Sequence, residues 1–270
     1  VSADPTAPAA AKPAARLTPR RRALLLCALV AAVLLAVSWL APLPFTRTWP
    51  GATADALGSY QGHQVVTVAG APERQTSGSL RVTTILATGP DESVTLEQAV
   101  RGWLDPKVAV LPRDSVYPQG NLTEAQHQMT QAQDSATTVA LNYLHLSPDQ
   151  VKVTVDLGDI GGPSGGQMLS LAIIDKLAGD GHGGDLTGGR NIAGTGTIDD
   201  QGTIGAVGGV ALKTQAAARD GATVFLVPQL ECADAKVNTP SQLKLIPVRA
   251  LTDALTSLAA LRAGQPVPSC

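Results

Sequence analysis

The chain has 270 residues, a formal net charge of -2, 44% hydrophobic and 16% charged residues. That composition fits a globular protein and excludes a disordered one. The near-neutral charge, without a basic stripe interleaved with aromatics, argues against nucleic acid as a partner. Aromatics make up only 3%, so the core must be built from Ala, Val, Leu and Ile.

Residues 1–22 are rich in Ala and Pro and end in Arg20, Arg21 and Arg22. Such a segment cannot bury a core and is expected to be a disordered tail. An uncharged apolar run follows from Ala23 to Ala41. As a helix it spans roughly 28 Å, close to the ~30 Å hydrocarbon core, and so reads as a transmembrane helix. Trp39 suits the headgroup layer at its outer end. The preceding arginines put the N-terminus in the cytoplasm and the remainder outside it, which describes a single-pass protein of the cell membrane. A cleaved signal peptide is the rival reading, since Ala36-Val37-Ser38 resembles a cleavage site. The run is nevertheless longer than the ~7–15 residues of a signal core. Cys27 lies in the run, which leaves Cys232 and Cys270 outside. Two exported cysteines in one domain predict a disulfide, with two free thiols as the alternative.

Beyond the run, residues 43–50 show no clear element. Residues 64–69 and 80–87 are β-branched and read as strands. Thr95 to Leu104 has helical spacing with a start signal at Thr95. Asn121 to Leu146 reads as a long helix, with Met129, Ala132, Ala136, Val139 and Ala140 on one face. Residues 151–157 alternate as a half-buried strand. A Gly-rich turn then leads to a helix from about Ser164 to Leu177. After a polar loop, Ala178 to Arg190, two short strands at 192–198 and 203–209 flank the hairpin turn Asp199-Asp200-Gln201-Gly202. A helix at 210–220 ends at Gly221, a strand follows at 222–228, another at 243–248, and a closing helix at 251–262. Alternation of strand and helix toward the C-terminus predicts parallel pairing in a mixed α/β, or α+β, domain.

Two motifs carry chemistry. Gly161-Gly162-Pro163-Ser164-Gly165-Gly166 puts a serine between a strand and a helix, where small neighbours let a substrate backbone approach. Unpaired N–H groups at the helix start suit an oxyanion. The same residues also describe an ordinary helix cap. Gly208-Gly209-Val210-Ala211-Leu212-Lys213 opens the next helix. A lysine in a first helical turn opposes the macrodipole, and burial would lower its pKa further. A neutral amine can accept a serine proton. The bland alternative is a solvated helix lysine.

Together these motifs resemble the Lon peptidase family. Pro163-Ser164-Gly165-Gly166 is similar to its nucleophile motif, and Lys213 stands four residues after a Gly-Gly pair, as its base does. Ala193-Gly194-Thr195-Gly196-Thr197-Ile198 resembles the family's Thr-Gly-Glu-Ile strand, and Gly221-Ala222-Thr223 and Val227-Pro228 extend the match. The resemblance covers roughly residues 151–262. Ile160-Gly161-Gly162-Pro163-Ser164 and Leu186-Thr187-Gly188-Gly189 look most like the membrane-anchored, exported members that carry a PDZ domain.

The resemblance implies a Lon proteolytic-domain-like fold over residues 147–270; residues 42–146, with the long helix, form the extracytoplasmic region before it, as the topology of the apolar run requires. It implies Ser164 as nucleophile, Lys213 as general base and Thr195 as a residue orienting Lys213. It also implies a polypeptide substrate and assembly into a homo-oligomer. Three departures stand out. Gly161 replaces an acidic residue, Gly165 replaces alanine, and only a few residues separate Leu146 from Val151. A PDZ domain of on the order of 80–90 residues does not fit there.

Other signals are set aside. Gly208 to Thr214 fails as a phosphate loop because Leu212 stands where glycine is required. No ATPase module is recognised, so cleavage is expected to be ATP-independent. His63, His127, His145 and His182 have no metal-ligand spacing, and no cofactor is expected. A Ser-His-Asp triad using one of them is conceivable, with His182 the best candidate, although a solvated loop histidine is the expected reading of it. The sequence therefore predicts a membrane-anchored serine endopeptidase with a Ser-Lys dyad acting on exported or unfolded polypeptides. The alternative is a non-catalytic envelope scaffold retaining the peptidase fold.

Overall fold

The computed structural model describes residues 18–117, 122–158, 160 and 162–270. The expectations for residues 1–17, Asn121 and Gly161 lie outside them. The elements in chain order are α1 (Pro19–Leu40), β1 (Phe45–Asp55), β2 (Ser59–Tyr60), β3 (His63–Gln64), β4 (Val66–Ala69), β5 (Ser79–Ala87), α2 (Leu96–Leu104), β6 (Ala109–Pro112), α3 (Arg113–Val116), α4 (Leu122–Tyr143) and β7 (Lys152–Val155). A 3-10 turn (Pro163–Gly165) then opens into α5 (Gly166–Leu177), followed by β8 (Asn191–Gly194), β9 (Thr197–Ile198), β10 (Ile204–Gly205), α6 (Val210–Arg219) and β11 (Val224–Pro228). A second 3-10 turn (Gln229–Glu231), α7 (Cys232–Ala235), β12 (Lys244–Val248) and α8 (Leu251–Arg262) complete the chain.

α1 begins with Pro19 at its first turn, where the missing N–H has no partner to lose. No residue of α1 is buried. Its length and composition are sufficient to cross a membrane.

A six-stranded sheet in the order β12-β11-β8-β5-β1-β6 organises the remainder. β12, β11, β8 and β5 are mutually parallel, and β1 pairs antiparallel with both β5 and β6. The parallel strands are covered on both faces, as parallel sheets require. β11 shows this directly. Val224 and Leu226 enter the core beneath α4, α5 and α8, whereas Phe225 and Val227 enter the core beneath α6 and α7. β8 splits the same way, with Ile192 on the first face and Ala193 on the second. α5 is buried from Gly166 to Lys176, so it is a central helix.

β1 is a strand that the sequence reading missed at residues 43–50. Pro50 sits where the pairing with β5 shifts register between Pro50 and Thr53, the kind of irregularity that tolerates proline inside a sheet. The expected strand at 64–69 divides at Val65 into β3 and β4. β4 pairs with β7 in a separate two-stranded ribbon. The sheet draws β1, β5 and β6 from one side of residues 146/147 and β8, β11 and β12 from the other, so both segments share one core. α4 turns directly toward β7 through residues 144–151, closed by the Leu146 N–H bonding to the Leu141 carbonyl at 2.9 Å. Cys232 and Cys270 form a disulfide with Cα atoms 5.3 Å apart, pinning the C-terminal tail to α7.

Candidate active site

The site lies beyond the carboxyl ends of the parallel strands, where open α/β sheets place their ligands. α5 on one face and α6 on the other converge there with their N-termini. β8 ends at Gly194, and the next two residues stitch the helices together. The Thr195 N–H donates to the Leu226 carbonyl at 3.1 Å, which fixes this exit to β11. The Gly196 N–H donates to the Ser164 carbonyl at 2.9 Å, and the Gln167 N–H donates to the Gly196 carbonyl at 3.2 Å.

Glycine sets two of these approaches. A Cβ at Gly166 would come within 2.8 Å of Ile198 Cγ2, so β9 can lie this close to α5 only without a side chain there. Gly209 adopts φ +71° as the N-cap of α6, and a Cβ would meet Ile85 Cγ2 at 2.7 Å. Both constraints fix where α6 starts, and hence where Lys213 points.

Lys213 is buried, with 3% of its surface exposed. Its Nζ donates to Thr195 Oγ1 at 3.1 Å, and the Thr195 hydroxyl donates to the Ser164 carbonyl at 3.3 Å. Burial lowers the Lys213 pKa to about 8, against the field of Glu231, which pushes it up. Ser164 and Lys213 line one open cavity of about 560 Å³. Among the described residues the amine's hydrogen bond goes to Thr195 and not to the Ser164 hydroxyl.

The remaining wall comes from segments outside the sequence motifs, including Thr84 to Ala87 of β5 and Ser115 to Tyr117 around α3. Sequence reasoning also missed Glu231. Its Oε1 accepts the Val207 N–H at 2.8 Å, and its Oε2 is buried without a hydrogen-bond partner among the described residues. Burial raises the Glu231 carboxyl, while the Val207 bond and Lys213 lower it. No sequence signal links Glu231 to Lys213, because the strand β11 and a 3-10 turn lie between them.

His182 sits in the loop after α5, at the opposite end of that helix from Ser164. A helix of 12 residues puts the two roughly 18 Å apart. The triad that would use His182 is therefore ruled out by distance. Asp199 accepts N–H bonds from Gln201 and Thr203 at 3.0 and 2.7 Å, the turn role expected for it. Among the described residues no group of three or more His, Cys, Asp or Glu side chains gathers as a metal site.

A family model for the Lon protease (S16) C-terminal proteolytic domain matches residues 121–260. The chain belongs to the Lon protease family. The match takes in α4 and the segments that carry Ser164 and Lys213, starts before residue 147, and leaves out the β5 and α3 residues that line the same cavity. Membership makes this Lon-family chain a serine peptidase, a hydrolase of polypeptides. A comparison with curated proteins finds no match.

Proposed function

We propose that this Lon-family chain is an ATP-independent, membrane-anchored endopeptidase in which Ser164 is the nucleophile and Lys213 the general base. The observation that carries the reading is the buried Lys213 amine, held by Thr195 in the cavity that Ser164 also lines. Desolvation brings its pKa to about 8, so a useful fraction is uncharged near neutral pH.

In this mechanism the neutral Lys213 Nζ takes the Ser164 hydroxyl proton as Oγ attacks the scissile carbonyl. Backbone N–H groups at the start of the 3-10 turn receive the oxyanion. Collapse of the tetrahedral intermediate breaks the C–N bond, and Lys213 returns the proton to the leaving amine. Lys213 then takes a proton from water, the resulting hydroxide attacks the ester, and Ser164 leaves with that proton restored. Thr195 acts as a positioning residue, accepting from Lys213 and donating to the Ser164 main chain.

α1 would hold the domain at the membrane with its N-terminus in the cytoplasm, because Arg20, Arg21 and Arg22 precede the apolar run. In this reading the substrates are exported polypeptides already extended or unfolded. The test is degradation of an unstructured protein by the full chain in lipid nanodiscs. Ser164→Ala should retain the fold and lose cleavage, whereas undiminished cleavage would assign the nucleophile elsewhere.

A further inference from the structure

α2 carries an apolar stripe that the protein leaves uncovered. Its opposite side is well seated, with Ala99 and Gly102 buried, and a Cβ at Gly102 would strike Val110. Leu96, Val100, Trp103 and Leu104 follow the i, i+4, i+7, i+8 spacing of one helix face. Val100 is 36% exposed, Trp103 60% and Leu104 80%. Glu97 and Arg101 pair at 2.5 Å, one turn apart, along the flank of that stripe. A soluble surface does not usually gather a tryptophan and a leucine at such exposure on one short helix.

The position of α2 says what covers it. α1 ends at Leu40, and Leu43 then forms a β-bridge with Val94, the residue before the Thr95 cap of α2. α1 and α2 are in contact. Phe45, only five residues past α1, meets Trp103 edge-on with ring centroids 6.4 Å apart. The stripe therefore begins where the membrane-crossing helix emerges. A capping box at Thr95 and Gln98 fixes the start of α2, so its orientation relative to that exit is set.

We propose that α2 lies in the headgroup layer of the same bilayer, with Val100, Trp103 and Leu104 facing the acyl chains. This rests on the reading of α1 as a membrane span. Tryptophan beside leucine on an amphipathic helix is the chemistry of an interfacial anchor. Two attachments, α1 and α2, restrict rotation of the domain about the short connection between them. β1, on which α2 packs, pairs with β5, whose Thr84 to Ala87 end lines the catalytic cavity. The lipid-facing surface and the cavity are thus two strands of one sheet apart, so docking holds the cavity in a fixed orientation to the membrane.

The test uses the full chain in nanodiscs whose lipids carry bromine on the acyl chains. The chain has three tryptophans, and the Trp39→Phe, Trp49→Phe variant leaves Trp103 as the only emitter. A parallel comparison of the wild type with Trp103→Phe gives the same component without touching Trp49. Alkaline carbonate treatment of membranes reports α1 separately. Retention in carbonate, with Trp103 emission blue-shifted and quenched by bromine, is the expected result. Retention with Trp103 unquenched and emitting as in water overturns the docking of α2 and leaves the anchor standing. A blue shift without quenching, in discs holding two chains, assigns the stripe to a second copy and also overturns it. Release by carbonate removes the anchor and the proposal with it.

Discussion

Replacing Lys213 by methionine should make the protein more stable at pH 7 while abolishing cleavage. A charged amine in a dry pocket is costly, and the fall of its pKa from 10.5 to about 8 measures that cost. At about 1.4 kcal/mol per pH unit the ammonium costs the fold about 3 kcal/mol at neutral pH. Methionine removes this penalty and keeps a similar apolar stem. It also removes the bond to Thr195 Oγ1, worth about 1 kcal/mol, although the Thr195 hydroxyl keeps its bond to the Ser164 carbonyl. The net gain is about 2 kcal/mol. The sign is fixed by where each state binds the proton. Below about pH 8 both the folded and unfolded chains are protonated, and the folded chain bears the full penalty. Between about 8 and 10.5 only the unfolded chain holds the proton, so wild-type stability rises with pH toward that of the variant. Urea unfolding of the detergent-solubilised full chain, followed by tryptophan emission at pH 7 and 9.5, reads both numbers. The variant should have the higher midpoint at pH 7, with an unchanged slope, and its advantage should fall by more than half at pH 9.5. A variant less stable than wild type at pH 7, or an advantage independent of pH, would refute a desolvated Lys213.

The wild-type kcat/KM should rise with pH through a midpoint near 8 and level off above it, because only the neutral amine acts as base. Glu231→Gln keeps an acceptor for the Val207 N–H but removes the charge that raises the Lys213 pKa, so the rising limb should move to lower pH; a move to higher pH would contradict this role. Thr195→Val should lower kcat/KM about tenfold or more with little change in KM, measured on an unstructured fluorogenic peptide. Cys270→Ser opens a loop spanning 38 residues, and chain entropy predicts a loss of about 4 kcal/mol in thermal or urea unfolding under oxidising conditions. A reductant should bring the wild type to the same value.

Much of the C-terminal architecture was legible because its signals are local. The continuous apolar run of β11 announces a strand covered on both faces, and it is buried throughout. Gly221 marks the end of α6 because it takes φ +82° after the last turn. The proposed residues Ser164 and Lys213 stand in glycine-flanked motifs, since close backbone approaches leave a record in small residues, whereas Thr195 drew attention only through the family resemblance. β1 left no such record. Its pairing depends on β5 and β6, and Pro50, which argues against a strand, is accommodated by the register shift. Sheet partnership cannot be read along the chain, so nothing in the sequence signals that strands on the two sides of residues 146/147 share one sheet. The Arg47 guanidinium stacked 5.1 Å from the Trp49 ring centroid, like the field of Glu231 at Lys213, is a product of tertiary packing without a sequence signature.

The most direct measurement is the site of acylation. A slowly turned-over peptide ester, incubated with the full chain and quenched in acid, should leave an acyl mass on the peptide containing Ser164. That mass should be absent from Ser164→Ala and strongly reduced in Lys213→Met. An adduct on any other residue, or one formed equally well without the Lys213 amine, would contradict the account.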